Sequence, residues 1–179
     1  MKEYKLGIIV GRFQVLHLGH TDMIQTAIEL CERVGVFIGS SQESGTKKNP
    51  FDYEKRKEFL KLCFGDQIEV YPLPDIHVGN NAAWGDYVLS SAKEVLGETP
   101  DVFISGEESR RDSWFSEDEI KEVFIPKTIE ISASQMTDFL LSDDKSSWVQ
   151  FIHPALTDKY EEYKNAALLY KDNLSTDSL

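Results

Sequence analysis

Two histidines three positions apart, His17 and His20, flank Gly19 and follow Arg12 in the densest chemical pattern of the chain. The run reads Gly11-Arg12-Phe13-Gln14-Val15-Leu16-His17-Leu18-Gly19-His20. Imidazoles donate hydrogen bonds to phosphate oxygens and add charge when protonated. Arginine offers phosphate a planar, permanently charged fork. Gly11 allows a sharp turn, and Gly19 lets backbone approach a nucleotide with no Cβ in the way. The chemistry that fits is attack of a phosphate oxygen on the α-phosphorus of a nucleoside triphosphate, with pyrophosphate leaving. No covalent protein intermediate is needed, because alignment and neutralisation of developing charge can carry the reaction. A zinc site is not expected: no Cys or carboxylate completes a ligand set at the usual spacing, and His77 and His153 are remote in sequence.

These residues need a strand before them and a helix after them. Leu6-Gly7-Ile8-Ile9-Val10 is short, β-branched and apolar, the pattern of a buried strand. From Thr21 to Cys31, Met23, Ile24, Ala27, Ile28 and Cys31 recur at helical spacing. The histidines therefore fall between a strand's carboxyl end and a helix's amino end, where open α/β sheets bind ligands. Further strands are predicted near 34–40, 68–72, 101–105 and 123–128, after the first near 5–10. Helices are predicted near 19–32, 52–63, 81–96 and 134–141. Alternation with short connections implies an α/β fold, a Rossmann-like doubly wound parallel sheet with helices on both faces.

The pattern predicts a single domain over 1–179, with a core to 141, a C-terminal helical extension over 142–171 and a frayed tail from 172. The last helix, about Asp158 to Lys171, carries Tyr160, Tyr163, Ala167 and Tyr170 on one stripe. That stripe suits packing on the sheet or a homo-oligomer contact. A net charge of −12 argues against nucleic-acid partners. No stretch reads as a signal peptide or membrane span, and Cys31 and Cys63 fall on apolar helix stripes. Both points lead to the expectation of a cytoplasmic protein with reduced thiols and no membrane partner.

Four segments carry a resemblance, running from about Leu6 to Leu141. The first is the Gly11-to-His20 run. The second is Gly39-Ser40-Ser41-Gln42-Glu43-Ser44-Gly45-Thr46-Lys47-Lys48-Asn49-Pro50-Phe51, followed by Glu54 and Arg56. The third is Pro72-Leu73-Pro74-Asp75-Ile76, with Asn80, Asn81 and Trp84 behind it, and the fourth is Ile131-Ser132-Ala133-Ser134. In these the chain resembles nicotinamide-mononucleotide (NMN) adenylyltransferases of the archaeal type and the adenylyltransferase half of the bifunctional adenylyltransferase–Nudix proteins. No Nudix-like segment accompanies them.

The resemblance implies adenylyl transfer from ATP to NMN, giving NAD and pyrophosphate, with Mg²⁺ bound mainly through nucleotide phosphates. It implies catalytic roles for His17, His20 and Arg12. ATP or phosphate contacts are implied for Gly11, Phe13, Gln14, Gly19, Ser132 and Ser134. NMN contacts are implied for Trp84, Asp75, Asn81, Asn49, Phe51 and Arg56. Trp84 can stack on the charged pyridine ring, or pack in the core beside Tyr87, Val88 and Leu89. In the fourth segment the family's arginine is absent, and Thr137 stands in its place. Ser132 with Gln135 still forms a capping-box pattern, so the helix terminus survives as an anion site. Arg110 or Arg111 is then the candidate for the missing cation. Two alternatives stay open: a different acceptor (nicotinate mononucleotide, FMN or phosphopantetheine), or a nucleotide- or NAD-binding regulator weakened by the loss of that arginine.

Overall fold

The computed structural model of the 179-residue chain describes residues 1–106, 114–116 and 118–173. Strand β1 (Tyr4–Gly11) leads into helix α1 (Leu18–Leu30), then β2 (Cys31–Gly39), α2 (Tyr53–Phe64) and β3 (Glu69–Leu73). Helix α3 (Asn81–Leu96) crosses back to β4 (Val102–Ser105) and β5 (Lys121–Phe124). Three helices follow, α4 (Ala133–Leu141), α5 (Lys145–Gln150) and α6 (Tyr160–Tyr170). Among the described residues, five strands form one sheet in the order β3-β2-β1-β4-β5, every neighbouring pair parallel. This is the expected doubly wound sheet. Its chain direction reverses beside β1, so the crevice at the carboxyl ends of β1 and β4 is the topological switch point.

Alternate β1 residues feed two cores. Leu6 and Ile8 face α3 with Phe37, Leu73, Val88, Ala92 and Phe103, whereas Ile9 joins the larger core under the remaining helices. The C-terminal tyrosine stripe belongs to that larger core: Tyr160 and Tyr163 are 2% and 1% exposed. Tyr163 stacks on Phe59 (centroids 4.6 Å apart) and meets Phe51 edge-on (5.1 Å). Those two tyrosines are spent on packing within the chain.

Two local expectations need correction. Cys31 opens β2 instead of closing α1, because pairing with Tyr4 begins there. Its thiol also fills the space above Gly7, where a Cβ would lie 2.5 Å from the sulfur. Strand β5 ends at Phe124, short of 128: Ile125 still donates to Ser105 (2.8 Å), but Pro126 has no N–H to continue the ladder. Within the C-terminal extension, Asp144 accepts from the Ser147 amide (3.0 Å) and caps α5.

Candidate active site

The β1–α1 loop holds its histidines in a fixed, stacked pair. His17 is the residue before α1, in extended conformation, and His20 closes the first turn. Their rings lie 3.8 Å apart and 22° from parallel, and the edge of Phe13 meets His20 at 5.4 Å. The His17 amide donates to His20 Nδ1 (3.4 Å), which leaves the His20 proton on Nε2, facing away from the loop backbone. His17 is 6% exposed, and its Nδ1 has no hydrogen-bond partner among the described residues. A buried imidazole nitrogen without a partner is expensive unless a ligand supplies one.

Both imidazoles are poor bases here. Burial pushes His17 down to about 4, with the nearby charge of Lys127 acting in the same direction. His20 is pushed well below its ordinary value by burial, then by His17 and Lys127. At neutral pH both rings are thus neutral hydrogen-bonding groups, and positive charge must come from other residues. Gly19 acquires a reason that sequence reasoning did not give: a Cβ there would lie 3.0 Å from His17 Cε1 and 3.1 Å from Nδ1. The glycine makes room for the ring of His17.

Two residues expected at the phosphates brace the loop. Gln14 is 8% exposed and spends both ends of its amide on Phe51, donating to its carbonyl (2.9 Å) and accepting from its N–H (3.1 Å). Phe13, 2% exposed, adopts φ +54°, a costly region for a bulky side chain, and its ring covers Gly11. The strain is tolerated because the neighbouring clamp leaves the loop no alternative, and it aims the Phe13 ring at His20.

Arg56 also differs from its expected place at the mononucleotide. Its side chain is fully buried. The guanidinium donates to the carbonyls of Asp52 (3.2 Å), Arg12 (3.2 Å), Gly39 (2.9 Å), Ser40 (3.0 Å) and Glu43 (3.3 Å). Burial lowers its pKa to about 10, so it stays charged at neutral pH. It staples the loops at the ends of β1 and β2 together. Asn49 and Phe51 lie in the braced segment. Phe51 is 8% exposed and packs on Phe59, while Asn49 is 1% exposed, with a side-chain oxygen that has no partner among the described residues.

The third segment forms the rim beyond β3. Gln42 holds Asp75 by donating to its carbonyl (2.9 Å) and accepting from its amide (3.0 Å), and the Asp75 carboxylate receives the His77 N–H (2.9 Å). Asn80 caps α3 (3.2 Å to the Ala83 amide), leaving Asn81 exposed as its first residue. Trp84 is half-buried, tilted against Tyr87 (5.3 Å) and edge-on to Trp114 (5.9 Å). Trp114 went unnoticed in the sequence because it follows β4 at a distance with no periodic pattern. A Cβ on Gly85 would collide with its carbonyl, so that glycine lets 114–115 cross α3.

The fourth segment brings a second helix terminus to the histidines. Ser132 Oγ accepts from the Gln135 amide (3.2 Å) and donates to its side-chain oxygen (3.0 Å). Ile131 lies against Gly19, so the amino ends of α1 and α4 converge, with Ser134 exposed on the first turn of α4. Thr137 donates to Ala133 O (3.0 Å) and lines a small cavity with Tyr170 and Lys171 of the C-terminal helix region. Arg110 and Arg111 lie outside the described residues. Arg12 is exposed at the mouth of the same crevice. Lys127, also missed, stands in the loop before Ser132. The signal available in the sequence was a cation five residues upstream of the capping serine.

The sequence profile described as cytidylyltransferase-like matches residues 8–163. The chain belongs to the cytidylyltransferase-like family. Among its relatives, the nicotinamide-nucleotide adenylyltransferase of Saccharolobus solfataricus is 38% identical over 88 residues, covering 46% of this chain and 50% of the relative. That of Thermococcus kodakarensis is 38% identical over 92 residues, 48% of either chain. The chain spans about half the length of the curated relatives it matches. A bifunctional NMN adenylyltransferase/ADP ribose pyrophosphatase from Francisella tularensis superposes with a TM-score of 0.78 at 18% identity, over 98% of this chain and 54% of that one. Another structure of that protein, complexed with AMP and a Mn ion, gives 0.76 over 94% and 51%. These superpositions establish the fold: a cytidylyltransferase-like sheet with its C-terminal helices. No helix among the described residues is long and apolar enough to cross a membrane.

Proposed function

We propose that the chain transfers the adenylyl group of ATP to NMN, forming NAD and pyrophosphate. The observation that carries this is the stacked His17–His20 pair, with the unpartnered His17 Nδ1, set where the amino ends of α1 and α4 converge at the switch point. Two helix termini favour an anion, and neutral imidazole donors suit phosphate oxygens whose charge grows during reaction. The relatives named as nicotinamide-nucleotide adenylyltransferases supply the choice of nucleotide and acceptor.

In this reading an NMN phosphate oxygen attacks the α-phosphorus, and the bond from that phosphorus to the β-phosphate bridging oxygen breaks. The electron pair leaves with pyrophosphate. His20 Nε2–H donates to the α-phosphate, and His17 hydrogen-bonds the same group or its neighbour. Ser132 and Ser134 border the phosphates at the start of α4, with Gly11, Gly19 and Arg12 across the crevice. Phe13, Gln14 and Arg56 hold the loops that these contacts need, and Phe51 and Asn49 extend the brace toward the acceptor. Trp84, Asp75 and Asn81 form the acceptor side, with the indole facing the pyridine ring. The substrate is MgATP, its metal carried on phosphate oxygens and water. Cytoplasmic NAD synthesis fits these substrates.

The test is incubation with MgATP and, separately, NMN, nicotinate mononucleotide, FMN and phosphopantetheine, following dinucleotide and pyrophosphate. NAD formed fastest with NMN supports the proposal. No dinucleotide under single-turnover conditions, while NAD still binds, replaces it with a nucleotide-binding regulator.

A further inference from the structure

The site has an unexplained charge balance. Its two histidines are neutral, Thr137 stands where the resemblance expects an arginine, and the chain as a whole carries −12. Thr137 is also turned away from the helix terminus, donating to Ala133 O and lining the cavity beside Tyr170. MgATP brings about two negative charges and the leaving pyrophosphate gathers more as it departs, whereas two helix termini offset only about half a charge each.

The connection from β5 to α4 places a cation at this point. It is held at its start by the Ile125 amide on Ser105 O (2.8 Å). In the middle Thr128 Oγ1 donates to Asp22 Oδ2 (3.4 Å), on the first turns of α1 just beyond His20. At its end Ile131 lies against Gly19, and Ser132 caps α4. Lys127 is the residue before Thr128. It is exposed and makes no hydrogen bond or ion pair among the described residues. We infer that Lys127 is the cation that meets the triphosphate, reached from the loop before α4 instead of from within the helix. Its charge already acts on both histidines, which places it within electrostatic reach of the same pocket. The inference rests on the proposed use of ATP, and it names the residue that replaces the missing arginine. A lysine here neutralises phosphate as a point charge on a flexible stem, with no bidentate fork to orient it.

The test compares affinity for MgATP with affinity for AMP by calorimetry, for the full chain and for Lys127→Met, Lys127→Arg and Lys93→Met. Lys93 lies on the last turn of α3 and controls for net charge. Loss of one charged hydrogen bond to phosphate predicts MgATP binding weakened about tenfold or more in Lys127→Met, with AMP binding within about twofold. Lys127→Arg should keep MgATP affinity within about threefold, and Lys93→Met should change nothing. Adding Thr137→Arg to Lys127→Met should recover part of the loss. Equal MgATP affinity in wild type and Lys127→Met overturns the inference, as does equal weakening for ATP and AMP. A wild type that binds MgATP no tighter than AMP overturns it as well. A chain that binds MgATP normally but forms no NAD refutes the transfer reading alone, because the ATP-to-AMP ratio still tests Lys127.

Discussion

Replacing Gly19 with alanine separates the stability of this site from its geometry. Gly19 is the second residue of α1 and has no positive φ, so alanine suits its backbone. On helix propensity alone the substitution should stabilise by up to about 1 kcal/mol. Against this, the new methyl would sit 3.0 Å from His17 Cε1 and 3.1 Å from Nδ1, while Ile131 Cγ2 at 3.8 Å is in ordinary contact. Comfortable carbon contacts begin near 3.5 Å, so the His17 ring must retreat by roughly 0.4 Å. That ring stacks on His20 at 3.8 Å, so the displacement passes to the second histidine. If about 1 Å of misplacement costs roughly a hundredfold in rate, 0.4 Å should cost roughly five- to tenfold. The expected outcome is a Tm within a few degrees of wild type together with a kcat for NAD formation lowered by that factor. Steady-state kinetics at saturating ATP and NMN, beside a thermal melt, provide both numbers. Unchanged kcat with unchanged Tm would refute the argument that Gly19 exists to seat the His17 ring.

Other consequences are as specific. His17 titrates at about 4 in the folded chain against 6.5 when unfolded, so the unfolded state binds the extra proton between those values. The stability is therefore complete above pH 6.5 and lost as pH falls toward 4, by about 2 kcal/mol at pH 5. Denaturant unfolding should show a fall between pH 7 and 5 that is shallower by this amount in His17→Gln, and parallel curves would contradict it. Arg56→Met strands several buried carbonyls and should cost about 3 kcal/mol or more, read as a lowered denaturant midpoint at unchanged slope. A midpoint close to wild type would return Arg56 to ligand binding. Trp84→Ala should raise the KM for NMN by a factor equivalent to about 1–2 kcal/mol, with the KM for ATP little changed. An unaltered NMN KM with a lower Tm would make Trp84 a packing residue on Trp114.

Most of the sheet was legible in the chain because its signals are local. Leu6 to Val10 is a β-branched run ending at glycine, and the strand–turn–helix context of His17 and His20 follows from periodicity on either side. Ser132 could be read as a cap from its spacing to Gln135 alone, and the contact is formed. Where a residue's fate depended on partners distant in sequence, its type was a poor guide. The resemblance implies a ligand contact for Arg56, yet backbone carbonyls of Asp52, Arg12, Gly39, Ser40 and Glu43 take all of its donors. The resemblance implies a phosphate contact for Gln14, yet Phe51, 37 residues on in sequence, takes its amide. Cys31 fits a helical stripe, but parallel pairing with β1 and the space above Gly7 drew it into a strand. Lys127 offered only its place five residues before the capping serine, and its loop lies beside the histidines because Thr128 and Ile131 fasten it to α1. Backbone geometry is set by neighbours along the chain, whereas burial and long-range hydrogen bonds decide which polar groups remain available to a ligand.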